Sequence, residues 1–401
     1  MINVLFIANW WPNKDSPVNG IFIKEHAEAV SRFANITVVY INSIKKISSL
    51  FQFPYAIKSH TEKVNENLAI ISLDIQIVSY RFNLIQLLTT SFLGKEIKLK
   101  KSNKFDLIHL NVLQGYFGKS AFKISGKFGL PLVLTEHHSF YHTEIYHLPK
   151  KEIVAKKKEI VTVLNNPNLK KILPVSDQLG NVLINDYSAP KDKIKKIANI
   201  ANECFTSNNV KEVIEKVGRI HILAAALWQP PKNPILFFQI IKKLKKDNYL
   251  KYEKIKIFWG GDGIQMKEIK EYVERELSDL DIVYLGLLSK KEIANQMGLA
   301  DFLVHPSDAE NLPCIIIESI CCGLPVLSVK INGVTELINN SNGKLYNVKD
   351  EIDFYNKFLE MIDHISQFDK YEIALAAREK YSANSIGLQI SDIYNKVLKQ
   401  V

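Results

Sequence analysis

Two glutamates, Glu310 and Glu318, flank a mainly apolar run in the stretch HPSDAENLPCIIIESICCG, which occupies positions 305–323. A packed core disfavours charge, so these carboxylates call for an explanation. A carboxylate accepts hydrogen bonds from paired hydroxyls, such as those of a sugar or a ribose. Glu310 and Glu318 are therefore candidates for binding a polyhydroxylated ligand.

The residues between the two glutamates predict a helix. Pro313 suits the first helical position, and Gly323 is typical of a helix C-terminus. The free amides of the first turn favour a negatively charged ligand such as a diphosphate. Two carboxylates beside an anion site suggest a nucleotide sugar. The structural alternative is that Glu310 caps the helix and Glu318 lies on its solvated face.

The elements that must position this stretch follow an α/β pattern. Strand-like apolar runs alternate with helix-length segments, which is typical of βαβ units on parallel sheets. The predicted strands are 2–9, 36–42, 105–112, 131–138, 171–176, 220–227, 254–261, 281–286, 301–307 and 324–329.

The alternation pauses between Ile200 and Val217 and then restarts, which predicts two Rossmann-like domains in tandem. Ligands of open parallel sheets bind beyond the carboxyl ends of the strands. Two such edges facing each other would form a cleft. We place the first domain at 1–203 and the second at 204–380.

The composition predicts a folded globular protein, and its cysteines are typical of a cytoplasmic one. The chain has 401 residues, 52 basic and 42 acidic side chains, and a formal charge of +10. This charge fits nucleic acid, an anionic membrane surface or phosphate-bearing substrates. No apolar run reaches the roughly 20 residues that span a bilayer, and no signal peptide is recognisable at the N-terminus. The four cysteines lack metal-binding spacing and are expected to be reduced.

The stretch HPSDAENLPCIIIESICCGLPVLSVKINGVTELI resembles the Glu-x7-Glu region of retaining GT-B glycosyltransferases of family 4. Further resemblances follow in order along nearly the whole chain. They include SPVNGIFIKEHAEAV, FDLIHLNVLQGYFGKSAFKISGKFGLPLVLTEHHSFY, LPVSDQL, KIANIANECF, LWQPPKNP, FWGGDG, VYLGLLSKKEIANQMGLADFLVHPS and REKYSANSIGLQISDIYNKVL. The last of these resembles a C-terminal helix, here 381–401, that returns to the first domain.

The resemblance implies roles for particular residues. Glu310 would contact the transferred sugar, Lys232 would bind the diphosphate, and His137 would lie near the sugar and acceptor. Glu318 would bind the ribose hydroxyls. The remaining implied donor contacts are Asn19 and Gly20 in a glycine loop, Leu285 and Gly286 beside the base, and Leu312, Cys314 and Ile315 at the start of the helix.

Three positions depart from the family pattern. Family members commonly carry an arginine five residues before the diphosphate-binding lysine, where this chain has Leu227. Either another basic residue substitutes for it, or activity is weak. Asn19 replaces the first glycine of the N-terminal loop, and Asn311 replaces the glycine after the first glutamate. These two changes would alter the fit around the donor.

The resemblance thus implies a metal-independent, retaining hexosyltransferase that needs no cofactor. It would move a sugar from a UDP- or GDP-sugar to a glycan or lipid-linked acceptor in surface polysaccharide biosynthesis. We expect a cytoplasmic protein, and peripheral contact with an anionic membrane at its inner face is left open. No nucleic-acid partner is expected. The alternatives are a catalytically impaired nucleotide-sugar-binding subunit, suggested by Leu227, and a nucleotide-sugar epimerase of the same fold.

Three other patterns are given structural interpretations. Asp279–Asp281 could form a metal-binding DxD motif, but it precedes a strand and predicts a turn. His137, His138, His142 and His147 could bind zinc, but no cysteine or HExxH helix accompanies them. Gly260–Gly263 could bind a dinucleotide, but it lacks the GxGxxG spacing and predicts a tight turn.

Overall fold

The chain folds into two compact units. The computed structural model describes residues 1–46, 55–78, 82–99, 105–137, 141, 147–206 and 218–399. Unit 1 comprises Met1–Asn199 together with the C-terminal segment from Ala383, and unit 2 comprises Ile200–Ser382.

Unit 1 contains a seven-stranded sheet in which the described strands are parallel except for one antiparallel edge strand, β3. Its order is β3-β4-β2-β1-β5-β6-β7. The direction of winding reverses between β1 and β5, which makes that edge the switch point where ligands of such sheets bind. The strands are β1 (Asn3–Ala8), β2 (Asn35–Lys46), β3 (Tyr55–Lys63), β4 (Leu68–Ile77), β5 (Leu107–Asn111), β6 (Leu132–Glu136) and β7 (Leu169–Pro174).

The helices of unit 1 include the last helix of the chain. It packs against α1, where the backbone of Gly387 lies close to the carbonyl oxygen of Ala29. It also contacts the sheet, because the hydroxyl of Tyr394 lies 2.6 Å from Nδ1 of His109 on β5. The helices are α1 (Ile21–Val30), α2 (Phe82–Leu99), α3 (Gly118–Phe128), α4 (Lys150–Leu164), α5 (Asp177–Tyr187) and, at the C-terminus, α13 (Ala383–Leu398).

Unit 2 contains a six-stranded parallel sheet in the order β10-β9-β8-β11-β12-β13. Here the winding reverses between β8 and β11. The strands are β8 (Ile220–Leu227), β9 (Ile255–Asp262), β10 (Asp281–Gly286), β11 (Phe302–His305), β12 (Val326–Val329) and β13 (Gly343–Tyr346). The helices are α6 (Pro234–Lys246), α7 (Met266–Glu276), α8 (Lys290–Leu299), α9 (Cys314–Cys321), α10 (Asn332–Thr335), α11 (Glu351–Asp363) and α12 (Lys370–Tyr381).

Aromatic packing supports the strands that carry the unit 2 switch point. Trp228 and Trp259 stack with their ring centroids 4.1 Å apart, and Phe237 and Phe238 pack against Trp259. The indole N–H of Trp228 donates to the carbonyl oxygen of Gly260 at 2.8 Å. Large buried aromatic side chains contribute strongly to core stability, so the segment that follows β8 is firmly anchored.

The predicted α/β class with two parallel-sheet domains is confirmed, and all ten predicted strands are present. The strands 220–227 and 281–286 have the predicted ends, and the other eight have shifted ends. The prediction missed β3, β4 and β13. The interpretation of Gly260–Gly263 as a turn that follows a strand was wrong in part, because β9 continues through Asp262. Position 261 requires glycine, since a Cβ there would lie 1.8 Å from the carbonyl oxygen of Ala226. Among the described helices, none is long and apolar enough to cross a bilayer.

We expect the substitution Gly387→Ala to destabilise unit 1. A Cβ at this position would lie 2.4 Å from the carbonyl oxygen of Ala29, and overpacking of this kind costs about 1–3 kcal/mol. The control is Gly126→Ala on α3, where a Cβ would make an ordinary 3.6 Å contact with Asn168 and helix propensity favours alanine. Urea unfolding measures both. Equal stability of Gly387→Ala and the wild type would contradict the close α1–α13 packing.

Candidate active site

The candidate site in unit 2 begins with two loops at the switch point of its sheet. One loop follows β8 and carries Lys232, and the other follows β11 and carries Glu310. The carbonyl oxygen of Pro231 accepts a bond from the hydroxyl of Ser307 at 2.8 Å and from the N–H of Asp308 at 2.7 Å. The strand order and these hydrogen bonds hold the two loops side by side.

The carboxylate of Glu310 is the centre of this arrangement. Its Oε1 lies 2.5 Å from Nζ of Lys232 and 2.8 Å from Nε2 of His305. The Glu310 side chain is only 11% exposed. Burial alone would raise the pKa of Glu310, but the ammonium of Lys232 and the ring of His305 outweigh it and lower the pKa to about 2. Glu310 is therefore ionised at neutral pH.

His305 supports this carboxylate from the end of β11. Burial lowers the pKa of His305 below its usual value, although the neighbouring Glu310 partly opposes that shift. A neutral ring can donate a hydrogen bond to Glu310 without adding charge. The loop backbone is also held, because the hydroxyl of Ser328 on β12 donates to the carbonyl oxygen of His305 at 2.8 Å.

Glu318 lies in a second ion pair. It is the fifth residue of α9 and has a relative exposure of 4%. Its Oε1 lies 2.7 Å from Nζ of Lys290 at the start of α8. The structural alternative for the two glutamates was therefore wrong for Glu318, which is buried. It was also wrong for Glu310, because α9 begins after Pro313 without a side-chain cap.

Each glutamate keeps one oxygen outside its ion pair. Within the part of the chain that the structure describes, the side-chain hydrogen bonds of Glu310 and Glu318 are all formed by Oε1. Oε2 of either side chain is thus able to accept a hydroxyl hydrogen. The site residues of unit 2 thus include two carboxylates, each paired with a lysine, and the N-terminus of α9, which lies between Glu310 and Glu318 in the chain.

The other residues of unit 2 that the sequence singled out lie at the ends of β8 and β10 and at the start of α9. Leu285 and Gly286 end β10 at an irregularity in its pairing with β9, and Gly286 has a left-handed φ of 67°. Leu312 is buried just before α9, while Cys314 and Ile315 form its first, partly exposed residues. Leu227 ends β8 with 41% exposure and contributes no charge.

In unit 1, the predicted glycine loop leads into α1. Gly20 has a φ of 68°, and a Cβ there would lie 2.5 Å from the carbonyl carbon of Trp10. Only glycine fits both constraints. Asn19 is exposed, and its N–H donates to the carbonyl oxygen of Ser16 at 3.2 Å.

His137 follows β6 and is buried in unit 1. Its ring lies 4.6 Å from that of Phe22 and 5.3 Å from that of His26, and Nδ1 lies 3.2 Å from Oδ1 of Asn199. Burial first, and then His26, lower the pKa of His137 well below its usual value. His137 is therefore neutral at pH 7, which favours a hydrogen-bonding role over a charged one.

Sequence reasoning missed Lys290 and His305. His305 ends a buried strand five residues before Glu310, and Lys290 lies in the stretch VYLGLLSKKEIANQMGLADFLVHPS. Both residues belong to stretches that resemble the family, but nothing in the sequence alone assigned a role to either. The histidines His138 and His142 lie outside the described residues. Within the described ranges, no group of three or more His, Cys, Asp or Glu side chains is arranged to hold a metal ion.

Comparison with known proteins identifies the relatives of this chain. The family model "Glycosyl transferases group 1" matches residues 218–364. An uncharacterized glycosyltransferase of Methanocaldococcus jannaschii is 33% identical over 106 residues, which are 26% of this chain and 30% of the relative. Alpha-monoglucosyldiacylglycerol synthase of Streptococcus pneumoniae is 21% identical over 75% of this chain and 68% of the synthase.

Solved structures show the same fold along the whole chain. HepE of Anabaena in complex with UDP has a TM-score of 0.71 at 14% identity, covering 98% of this chain and 100% of HepE. Sucrose-phosphate synthase of Thermosynechococcus elongatus has a TM-score of 0.71 at 13% identity and covers both chains fully. The chain therefore has the GT-B fold of two α/β domains.

We expect Lys232→Met to destabilise unit 2, because it leaves the buried Glu310 carboxylate without its cation. Removal of one partner of a buried pair typically costs about 3 kcal/mol or more. The control is Lys245→Met, which breaks an exposed pair with Asp279 and should cost about 1 kcal/mol at most. Urea unfolding at pH 7 compares the two. Equal small losses in both variants would contradict the proposed importance of the Lys232–Glu310 pair.

The same pair predicts a dependence of stability on pH. Glu310 has a pKa of about 2 in the folded protein against an ordinary value of 4.5. A lowered carboxyl pKa stabilises the folded state above pH 4.5, and this contribution disappears as the pH falls from 4.5 towards 2. We therefore expect the wild type to lose more stability than Glu310→Gln across that window. The measurement is the free energy of unfolding of both proteins as a function of pH. Equal changes in the wild type and in Glu310→Gln between pH 4.5 and 2 would contradict the expectation.

Proposed function

We propose, from the match of residues 218–364 to the family model of glycosyl transferases group 1, that the chain transfers a sugar from a nucleotide-diphosphate sugar to a hydroxyl acceptor. Unit 2 would bind the donor and unit 1 the acceptor. The aligned segments span 30% and 68% of the two relatives described above, so activity, donor and acceptor are all part of this proposal.

One observation carries the proposal: two buried carboxylates are each paired with a lysine through Oε1. Glu310 follows β11 at the switch point of the unit 2 sheet, and Glu318 lies in α9, the next helix. A sugar and a ribose each present adjacent hydroxyl groups, and an ionised carboxylate accepts hydrogen bonds from them. Glu310 would bind the transferred sugar through Oε2, and Glu318 would bind the ribose. Leu285 and Gly286 would contact the base.

Lys232 and the N-terminus of α9 would bind the diphosphate. Among the described residues, Lys232 forms its ion pair with Glu310. Donor binding would exchange that contact for one to a phosphate oxygen. The exchange would also release Glu310 to accept hydroxyl groups of the sugar. The amides near Leu312, Cys314 and Ile315 favour negative charge because they begin a helix.

The reaction would proceed with retention of configuration and without a metal ion. As the glycosidic bond breaks, negative charge grows on the departing diphosphate, where Lys232 and the α9 amides stabilise it. The acceptor oxygen forms the new bond on the same face of the sugar, and the departing phosphate oxygen takes up the hydroxyl proton. The neutral His137 would orient the sugar or acceptor by hydrogen bonding, with Asn19 and Gly20 near the phosphate.

We propose UDP-sugars as the first donors to test and GDP-sugars as the second. HepE has been solved with UDP and glucose, and the streptococcal relative is named for a glycolipid product. A glycan or lipid-linked acceptor is thus proposed here, in surface polysaccharide biosynthesis at the inner face of the membrane. Basic residues of α4, which begins KKEIVAKKK, would favour an anionic lipid surface.

The test measures donor hydrolysis and transfer with UDP- and GDP-sugars in excess EDTA. We expect one donor to be turned over, and Lys232→Met to lower kcat by about 100-fold, because charge stabilisation by one such group is of that order. Lys245→Met is the control with an equal charge change, and it should retain full activity.

Product analysis by NMR should show that the anomeric configuration of the donor is retained. Nucleotide binding without turnover on any acceptor would favour a binding subunit instead, for which Leu227 is the motivating position. Conversion of the donor sugar without an acceptor would indicate an epimerase. Absence of both binding and turnover would overturn the proposed function.

A further inference from the structure

We propose that Lys290 is a positioning residue that holds Glu318 in place to bind the ribose of the donor. This inference rests on the proposed function, and it concerns a residue to which the sequence pattern assigns no role. Lys290 acts through Glu318 and is not itself required to touch the nucleotide.

The contact between Lys290 and Glu318 is short and largely shielded from water. Nζ of Lys290 lies 2.7 Å from Oε1 of Glu318, and the two side chains are 22% and 6% exposed. Electrostatic attraction is stronger in such surroundings than at the surface, where most lysine–carboxylate pairs contribute little. The pair therefore has a larger effect on the position of Glu318 than a surface pair would have.

Lys290 is itself held on two sides. It is the first residue of α8, whose N-terminus is fixed by a capping box between Ser289 and Glu292. Its ammonium also lies 5.7 Å from the centre of the buried Phe205 ring, within the range of a cation–π contact. A lysine with a fixed helical backbone and an aromatic neighbour loses less conformational entropy when it binds a carboxylate than a mobile surface lysine does.

The geometry of the pair leaves the binding function of Glu318 intact. Lys290 contacts Oε1, and Oε2 has no bond to any other described residue. A ribose hydroxyl can therefore bind Oε2 while Lys290 stays in place. This differs from Lys232, which would have to exchange Glu310 for the diphosphate during donor binding.

Loss of the lysine would leave the Glu318 carboxylate buried without its cation. Such a carboxylate either rotates towards water or takes up a proton, and both changes weaken an ionised acceptor of hydroxyl hydrogens. The expected consequence is a specific loss of ribose recognition, with base and phosphate contacts unchanged. A purely structural role would weaken all nucleotides equally.

The experiment measures the Kd of the full chain for UDP and for 2′-deoxy-UDP by calorimetry, or for GDP and 2′-deoxy-GDP if the protein binds guanine. The variants are Lys290→Met, Lys290→Arg, Glu318→Gln and the Lys290→Met/Glu318→Gln double variant. The control is Lys291→Met, which removes the same charge from the exposed neighbouring residue of α8. Thermal unfolding establishes that each variant is folded, and the neutral double variant avoids a buried unpaired charge.

We expect Lys290→Met to raise the Kd for UDP at least tenfold and the Kd for 2′-deoxy-UDP much less. Lys290→Arg should retain most of the affinity, Lys291→Met should bind as the wild type does, and the double variant should bind no more weakly than Glu318→Gln alone. Non-additivity of this kind identifies residues that act together.

Three results would overturn the proposal. The first is that Lys290→Met binds UDP with wild-type affinity. The second is that Lys290→Met loses equal affinity for UDP and for 2′-deoxy-UDP. The third is that the losses of affinity caused by the two single substitutions add up in the double variant. The third would mean that Lys290 binds the nucleotide independently of Glu318. Failure of the wild type to bind either nucleotide would instead overturn the proposed function together with this inference, so the two failures are distinguishable.

Discussion

The carboxylate of Glu310 lies largely buried and remains ionised because Lys232 and His305 both contact its Oε1. The contact with Lys232 joins distant parts of the chain, since Lys232 follows β8 and Glu310 follows β11. The sheet order brings these strands together, and the winding reverses between them. The ion pair therefore depends on the complete topology of unit 2, and the topology supplies the cations that its buried carboxylates require.

The rest of unit 2 keeps this polar edge in place. Stacked Trp228 and Trp259 anchor the end of β8, and hydrogen bonds from Ser307 and Asp308 join the two loops. The buried titratable side chains of unit 1 include three histidines, His26, His109 and His137, where unit 2 has buried carboxylates. Burial is the first cause that lowers the pKa of each, so these rings serve as neutral hydrogen-bonding groups.

The sequence was sufficient to predict ten of the described parallel strands, because buried β-strands form continuous apolar runs. It missed the parallel strand β4, whose sequence LAIISLDIQI alternates buried and partly buried residues. It was insufficient for β3, whose sequence YAIKSHTEK lies exposed at a sheet edge, and for the four-residue β13. Resemblance identified Lys232, Glu310 and Glu318, and the structure brings the first two into contact. Lys290 was missed because a lysine at the start of a helix is usually solvated, and only the fold reveals that Glu318 lies beside it. The catalytic and binding roles remain predictions.

A crystal structure of the chain with UDP bound, or with GDP if that is the nucleotide it binds, would show whether Glu318 and Lys232 contact the donor nucleotide. We predict that the ribose hydroxyls lie within hydrogen-bond distance of Oε2 of Glu318, with Lys290 still on Oε1. It also predicts that Nζ of Lys232 has moved from Glu310 to the diphosphate. A nucleotide bound elsewhere, or at this edge with both ion pairs unchanged and neither Glu318 nor Lys232 in contact with it, would contradict the account.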